Sequence, residues 1–404
     1  MRDGWVETTL GELAEITTGS RAKGGAITSG IPSIGGEQIA EDRSIKFNKM
    51  KFVPEKHFES MRTGKLKFGD SLLVKDGATT GKVGYWRYSI PAAVNEHVFI
   101  LRARPDTAEP YFINLLISHQ SFRKEIESRT RGIIGGITRD IENIEFIVPL
   151  LPEQKRIVDL ISSVDAYIEA LQQQLESAKN SKSAYVNTIV SEIFARGKKT
   201  KIADIAEVKG GKRLPKGTPW SEEPTDHRYI RATDIKDGII LTENLVYVPD
   251  DVWPVISRYV VNQGDVVITI AGTIGQVGVI PASLDGVNLT ENAAKIVVDK
   301  KLVRSNYLSM LLGSSYYQQD IDSKTKKTTQ PKLGLNMINS IEIPLPDLAE
   351  QDEIFSVVSQ IDTLIASTND LIMQTITLRT GLLSDLLSGE HEIPASYDRV
   401  IGAA

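Results

Sequence analysis

Apolar positions recur with alternating steps of four and three along two stretches of the chain. The first, opened by Glu153-Gln154, carries Ile157, Ile161, Val164, Ile168, Leu171 and Leu175. The second, opened by Glu350-Gln351, carries Ile354, Val358, Ile361 and Ile365, then Ile372, Leu382 and Leu386. Such steps trace one apolar seam along a helix, and two helices so marked bury their seams against each other as a coiled coil. Segments of about 40 residues, at about 1.5 Å per residue, reach about 60 Å. Proline precedes each run, in Pro149-Leu150-Leu151-Pro152 and in Pro344-Leu345-Pro346. There it presets a turn and cannot lie inside the helix that follows. One run alone reads as an ordinary buried helix. Two, matched in spacing and in flanking residues, predict a paired spacer.

The match extends over the whole chain. Ala14-Glu15-Ile16 with Gly19-Ser20-Arg21 corresponds to Ala206-Glu207-Val208 with Gly211-Lys212-Arg213, an offset of 192. Phe52-Val53-Pro54 corresponds to Tyr247-Val248-Pro249, Gly69-Asp70 to Gly264-Asp265, and Gly81-Lys82-Val83-Gly84 to Gly275-Gln276-Val277-Gly278. By Glu153-Gln154 and Glu350-Gln351 the offset has drifted only to 197, so the sequence is a tandem duplication with few insertions. Within each copy, Ser71–Val74 and Val266–Ile270 are apolar, largely β-branched runs after a Gly-Asp turn and predict strands, as do Val98–Leu101 and Lys295–Val298. Tyr111–Leu116 and Tyr307–Leu312 have helical spacing. The predicted fold is α+β: two similar globular domains separated by two long antiparallel coiled-coil helices, with internal pseudo-two-fold symmetry. The expected division is a first domain over 1–150, a central spacer helix over 151–197, a second domain over 198–346, a C-terminal spacer helix over 347–390 and a tail over 391–404.

Composition fits a soluble two- or three-domain protein, with 41% hydrophobic and 25% charged residues in 404. No apolar run reaches membrane-spanning length, and Met1-Arg2-Asp3-Gly4-Trp5 has no leader-like apolar core. With no cysteine there is no disulfide framework and no thiol chemistry, which fits the cytoplasm. The five histidines, His57, His97, His119, His227 and His391, show no pair at ligand spacing and read as surface or satisfied polar residues. Net charge is −5, distributed as +2 over 1–150, −1 over 151–197, +2 over 198–346 and −8 over 347–404. The globular domains are thus slightly basic, too weakly for a stand-alone nucleic-acid binder. Strong phosphate attraction would have to come from a partner.

Gly77-Ala78-Thr79-Thr80-Gly81-Lys82 resembles a phosphate loop, but it has three residues between its glycines and Val83 where that motif needs Ser or Thr. It reads first as a tight turn leaving a strand. Backbone or base contact with DNA from Lys75, Thr79, Thr80 and Lys82, and from Thr273 in the twin turn, is the alternative. Basic loops recur at matching places. Arg21 and Lys23 correspond to Lys212, Arg213 and Lys216; Arg129, Arg131 and Arg139 correspond to Lys324, Lys326, Lys327, Thr328 and Gln330. Arg231 joins the same candidate set. Arg, Lys, Thr and Gln pair with phosphates and with base edges. Any one of these residues reads equally well as a solvated surface side chain; their recurrence, with different sequences, favours recognition. No hydrolase, metalloprotease or amino-methylating motif occurs, and no metal site is expected.

Together these features resemble the specificity subunit of Type I restriction–modification enzymes, over essentially the whole chain. The resemblance rests on the domain–helix duplication and on the helix opening Pro149-Leu150-Leu151-Pro152-Glu153-Gln154-Lys155-Arg156-Ile157. It rests also on the degenerate copy from Pro346 to Ile354, on the repeated Gly-Asp-apolar pattern, and on Leu386-Leu387-Ser388-Gly389-Glu390. The second opening departs from the first, with Ala349 for Pro152 and Asp352-Glu353 for Lys155-Arg156. The resemblance implies two target recognition domains, each reading half of a bipartite site in double-stranded DNA. It implies helices that set the spacing between halves, and two modification subunits that bind S-adenosylmethionine and methylate an adenine in each half. Two motor-nuclease subunits using ATP and Mg would join in a system that also cleaves. Catalysis and cofactors would belong to those partners, with none in this chain. The alternatives are a methylation-only or Type IIB-like relative, and a coiled-coil scaffold carrying two non-DNA binding domains.

Overall fold

The computed structural model describes residues 4–129, 136–236, 238–325 and 331–398. The chain divides into two compact units, residues 1–170 with 372–404, and residues 171–371.

In the first unit the strands are β1 (Trp5–Thr9), β2 (Ala14–Thr18), β3 (Ile31–Ile34), β4 (Lys51–Val53), β5 (Asp70–Val74), β6 (Val83–Trp86), β7 (Ala93–Val94), β8 (Val98–Ala103) and β9 (Glu145–Pro149). One antiparallel sheet has the order β2-β8-β5-β6, a second has β4-β3-β7 with β3 and β7 parallel, and β1 pairs with β9. Every residue of β5 is buried, and from Leu72 to Val74 it reads as a continuous apolar run. Its first residue is a charge that must be neutralised. Asp70 accepts two hydrogen bonds from Arg102 on β8, at 2.7 and 2.6 Å, and a third from the Lys67 amide at 2.7 Å. The Arg102 hydrogen bond to Asp70 keeps that guanidinium firmly charged, above its ordinary range. The helix Pro110–Ser118 lays Phe112, Ile113 and Leu115 on the sheet.

The second unit repeats the plan. Its strands are β10 (Lys199–Lys201), β11 (Ala206–Gly210), β12 (Arg228–Ile230), β13 (Ile235–Lys236), β14 (Ile239–Ile240), β15 (Val246–Tyr247), β16 (Val260–Val261), β17 (Val266–Thr269), β18 (Val277–Val279), β19 (Val287–Leu289), β20 (Ala293–Val298) and β21 (Glu342–Pro344). The order β11-β20-β17-β18 reproduces β2-β8-β5-β6, and β15-β12-β19 reproduces β4-β3-β7, with β16 added at its edge. β10 pairs with β21 as β1 does with β9.

The two seam-bearing stretches are single helices, Leu151–Ala195 and Leu348–Ser388; Pro152 lies inside the first turn of the former, not ahead of it, where its missing N–H would have no partner in any case. In the first unit Ile157 and Ile161 share a core with Leu383 and Leu386, and Asp165 of the first helix meets Arg379 of the second. In the second unit Val186, Val190 and Ile193 share a core with Ile354 and Val358, and Lys182 meets Asp362 at 2.5 Å. Partners' numbers fall along one helix as they rise along the other, so the pairing is antiparallel. Each of these buried aliphatic side chains contributes about 1.5–3 kcal/mol. The seam is not wholly the expected one. Ile157, Ile161, Ile168, Leu171, Ile354, Val358, Ile372 and Leu386 are buried, whereas Val164, Leu175, Ile361, Ile365 and Leu382 are half-buried and Thr368 and Thr375 are buried instead.

The repeated Glu-Gln opening has a structural cause. Gln154, 1% exposed, donates to the carbonyls of Thr107 and Pro149 at 3.1 and 2.9 Å and accepts from the Glu109 amide at 3.0 Å. Gln351 donates to the carbonyls of Leu302 and Pro346 at 3.0 and 2.9 Å and accepts from the Arg304 amide at 2.9 Å. The departures beside it are also matched. Lys155 faces Glu109 at 3.7 Å, and Asp352 faces Arg304 at 3.0 Å. The same ion pair is written with its charges exchanged.

Candidate nucleic-acid interface

In the first unit the loops leaving β2, β3, β5 and β7 meet at one edge. Gly19 packs so closely on β7 that a Cβ there would stand 1.7 Å from the Val94 carbonyl oxygen, which leaves no room for any other residue. The Asn95 amide donates to the Ile34 carbonyl at 3.0 Å, and the Lys75 amide to the His97 carbonyl at 2.9 Å. The Lys75 carbonyl accepts from the Ile137 amide at 2.6 Å, which ties in the segment ahead of β9.

The second unit carries the same contacts at matched positions. A Cβ on Gly211 would stand 2.1 Å from the Thr290 carbonyl oxygen. The Thr290 amide donates to the Ile230 carbonyl at 3.0 Å, the Ile270 amide to the Asn292 carbonyl at 2.7 Å, and the Leu333 amide to the Ile270 carbonyl at 2.9 Å. One loop scaffold is therefore built twice. The side chains it carries differ.

Arg21 and Lys23 are exposed in the loop after β2, as are Lys212, Arg213 and Lys216 after β11. Arg21 has its Nε 3.9 Å from Glu96, and the Lys212 ammonium lies 5.9 Å from the centre of the Tyr259 ring. Lys75 is half-buried, its ammonium 5.3 Å from the centre of the Phe99 ring. Thr79 and Thr80 lie in the tight turn between β5 and β6, where Gly77 and Gly81 have positive φ and the Thr80 hydroxyl donates to the Gly77 carbonyl at 2.6 Å. Thr273 is exposed in the twin turn. Other candidates are engaged within their own domain. Lys82 pairs with Glu41 at 2.6 Å, and its hydrogen bond holds that carboxyl below the usual carboxylate range. Arg231 donates to both Asp234 oxygens, at 3.1 and 2.9 Å, and to the Asn244 carbonyl at 2.8 Å. That carboxylate raises the guanidinium above its ordinary range. Arg139 opens a short helical turn and pairs with Glu142, and Lys324 pairs with Asp320 one turn back at 2.5 Å. Arg131, Lys326, Lys327, Thr328 and Gln330, with the Arg129 side chain, lie outside the described residues.

Sequence reasoning passed over Asp76 and Glu96 at this edge, and read His97 as a surface or satisfied polar residue. His97 Nδ1 is hydrogen-bonded to Asp76, and its Nε2 lies 3.5 Å from Glu96. The repeat alignment could have drawn attention to them, because His97 falls opposite Asn292. Among the described residues no cluster of three or more His, Asp or Glu side chains could hold a metal ion, and no helix is long and apolar enough to cross a membrane.

Two copies of one loop-bearing domain, each continued into a long helix that pairs antiparallel with the other, define a two-headed recognition protein. The particular family follows from comparison with known proteins. The profile of the Type I restriction modification DNA specificity domain matches residues 2–180 and 197–377, and the chain belongs to that family. It is a DNA sequence-recognition subunit with two recognition domains, and catalysis lies in partner subunits. It is similar to the Type I restriction enzyme EcoBI specificity subunit of Escherichia coli, 22% identical over 455 aligned residues covering 99% of this chain and 92% of that one. It is also similar to the MjaVIII specificity subunit of Methanocaldococcus jannaschii, 22% identical over 80% of this chain and 79% of that one. Among solved structures, the fold matches a chain of a type I restriction–modification complex with a TM-score of 0.60 at 17% identity, covering 96% and 98% of the two chains. It matches the specificity subunit from M. genitalium with a TM-score of 0.57 at 16% identity, covering 95% and 96%.

Proposed function

We propose that each globular domain reads one half of a bipartite DNA site through the loop edge described above, and that the paired helices hold the two readers at a set spacing. In this reading the first domain covers residues 1–150 and the second 198–346, with the spacer helices over 151–197 and 347–390 and a tail to 404. Arg21, Lys23, Lys75, Thr79 and Thr80 serve the first domain, and Lys212, Arg213, Lys216 and Thr273 the second. The observation that carries the reading is the doubled scaffold with unlike side chains, since one frame with different chemistry reads different sequences.

Two modification subunits, loaded with S-adenosylmethionine, dock on the helices and methylate an adenine in each half after it leaves the stack. Motor-nuclease subunits using ATP and Mg join where cleavage accompanies methylation. Support for docking on the helices comes from Val357, Leu364 and Leu371, which stand exposed at 40%, 43% and 39%, seven residues apart on the second helix. A row at heptad spacing is a seam awaiting another helix. The charge of −8 over 347–404 makes that helix unsuited to face DNA. The complex works in the cytoplasm.

The test is domain exchange. Residues 1–150 are replaced by the corresponding domain of another specificity subunit, and the assembled methyltransferase selects from a random-sequence duplex pool. One half of the recovered motif should change and the other persist. Change in both halves, or in neither, defeats the proposal.

A further inference from the structure

We propose that Arg43 and Tyr111 are positioning residues of the first recognition domain. Through Asp165 they fix the angle at which that domain stands on the helices of its own unit, and so hold the gap between the half-sites to one length. The inference rests on the DNA-reading function proposed above and deepens it by naming what orients one reader.

Asp165 lies on the first long helix about three turns, or about 16 Å, beyond Gln154. Arg379 of the second helix donates to both of its oxygens, so the two helices hold the carboxylate in place. The first domain reaches it from two separate segments. The Tyr111 hydroxyl, on the helix Pro110–Ser118, donates to Oδ2 at 2.6 Å, and an Arg43 nitrogen stands 3.7 Å from Oδ1. The same guanidinium donates to the Asn114 side-chain carbonyl at 3.4 Å and lies 6.0 Å from the centre of the Tyr111 ring. Asn114 is fully buried, and its amide donates to the Gly84 carbonyl at 2.8 Å, which turns its oxygen to Arg43.

Arg43 is delivered there by a strained turn. Its φ is 71°, a left-handed value that residues with a side chain seldom adopt. The turn is locked from within and from the sheet. The Asp42 carboxylate accepts from the Ser44 amide and hydroxyl at 3.0 and 2.6 Å, and the Tyr85 amide donates to the Arg43 carbonyl at 3.2 Å. Strain kept in place by its surroundings points to a use for the side chain it aims. Gln154 and Lys155 attach the domain at the helix entry, and the bonds to Asp165 attach it again about 16 Å further on, which gives it a direction. The aliphatic core that Ile157 and Ile161 share with the domain is non-directional; hydrogen bonds to one carboxylate are not.

The frame itself does not need these side chains, because the second domain forms without them. Counted from Glu109 and Arg304, whose amides the two glutamines hold, Asn306 stands where Tyr111 does and Ser309 where Asn114 does. Asn306 is exposed. The segment that closes over Gly278, as the Arg43 turn closes over Gly84, carries Ile239, 58% exposed. Asp362, the counterpart of Asp165, meets Lys182 across the helices. The second domain is tied to its helices by neutral groups instead. The Ser315 hydroxyl, at the start of the helix Ser315–Thr325, lies 3.0 Å from that of Ser183 and 3.3 Å from the Asn187 amide nitrogen. The charged brace thus belongs to one reader.

The experiment uses the full chain assembled with its modification subunits and selects bound duplexes from a random-sequence pool. It compares wild type with Tyr111→Phe and Arg43→Gln, and with two controls, Ile100→Val and Asn306→Ala. Tyr111→Phe removes one hydroxyl and leaves the ring. Ile100→Val weakens the first domain's own core without touching Asp165 or its partners, and Asn306→Ala alters the matched place in the second domain. Wild type should enrich a two-part motif with one gap. Tyr111→Phe and Arg43→Gln should each raise the share of recovered sites whose gap is one base pair longer or shorter by about fivefold or more, the weight of one hydrogen bond in an equilibrium. Both half-site sequences should persist, because the side chains of the loop edge are unchanged. The two controls should keep the single gap. A gap that stays single in both brace variants overturns the inference and leaves the two-headed function standing. So does a spread of gaps that either control reproduces, since the brace is intact in both. A wild-type complex that enriches no two-part motif overturns the function beneath, and the inference with it.

Discussion

Gln154 and Gln351 each tie their own helix entry to a second segment distant in sequence. Gln154 joins its own helix start to carbonyls and an amide up to 47 residues away, through all of its amide's hydrogen-bonding atoms. Truncation would strand the Thr107 and Pro149 carbonyls and the Glu109 amide. An orphaned buried polar group costs about 1–3 kcal/mol, and water entering the vacated space relieves part of the sum. Gln154→Ala should therefore destabilise the first unit by about 2–4 kcal/mol in denaturant unfolding, and Gln351→Ala should do the same to the second. A loss under about 0.5 kcal/mol, the size of an ordinary surface change, would mean that the amide is not holding the segments. The Glu-Gln repeat was visible as a motif, but its reason was not, because the carbonyls it satisfies belong to residues that no local spacing rule connects to it.

At the scale of elements the repeat was legible where pattern and burial agree. The apolar runs after the Gly-Asp turns are β5 and β17, and the runs at Tyr111 and Tyr307 are helices on those sheets. The seam was legible in outline only. Thr368 and Thr375 are buried in it because neighbours close over a position whatever residue occupies it, and hydropathy alone cannot show that. The loops were least legible: Lys82 and Arg231 resemble free cations in sequence, yet their carboxylate partners come from turns fixed by the fold. The two seam ion pairs, Asp165–Arg379 and Asp362–Lys182, are counterparts under the repeat but should differ in weight. Asp165 also accepts from the Tyr111 hydroxyl at 2.6 Å and has Arg43 at 3.7 Å, and the Arg379 side chain is only 11% exposed. Lys182 and Asp362 are 35% and 49% exposed. Asp165→Asn should cost about 2–3 kcal/mol, below the full cost of breaking a buried pair because Asp165 is itself 27% exposed. Asp362→Asn should cost less than about 1 kcal/mol. Equal losses in thermal or denaturant unfolding would show that burial does not separate the pairs.

For the molecule as a whole, the proposed spacing can be tested by changing the length of the seam without changing its register. The ion pairs Asp165–Arg379 and Lys182–Asp362 bracket a midpoint near Gln172 and Ile372, so insertions there leave both flanking cores untouched. Seven residues span two turns of the coiled-coil repeat, so seven inserted after Gln173 and seven after Leu371 restore the seam on both sides. At about 1.5 Å per residue this adds about 10 Å, and at about 3.4 Å per base pair it corresponds to about three base pairs. In the selection from random-sequence duplexes, the doubly extended chain should recover the same two half-sites with the gap between them lengthened by about three base pairs. Four residues inserted in the first helix alone put its two halves out of register with the partner and should abolish the two-part motif. Recovery of the original gap by the chain extended in both helices would mean that something other than the paired helices sets the distance between the readers.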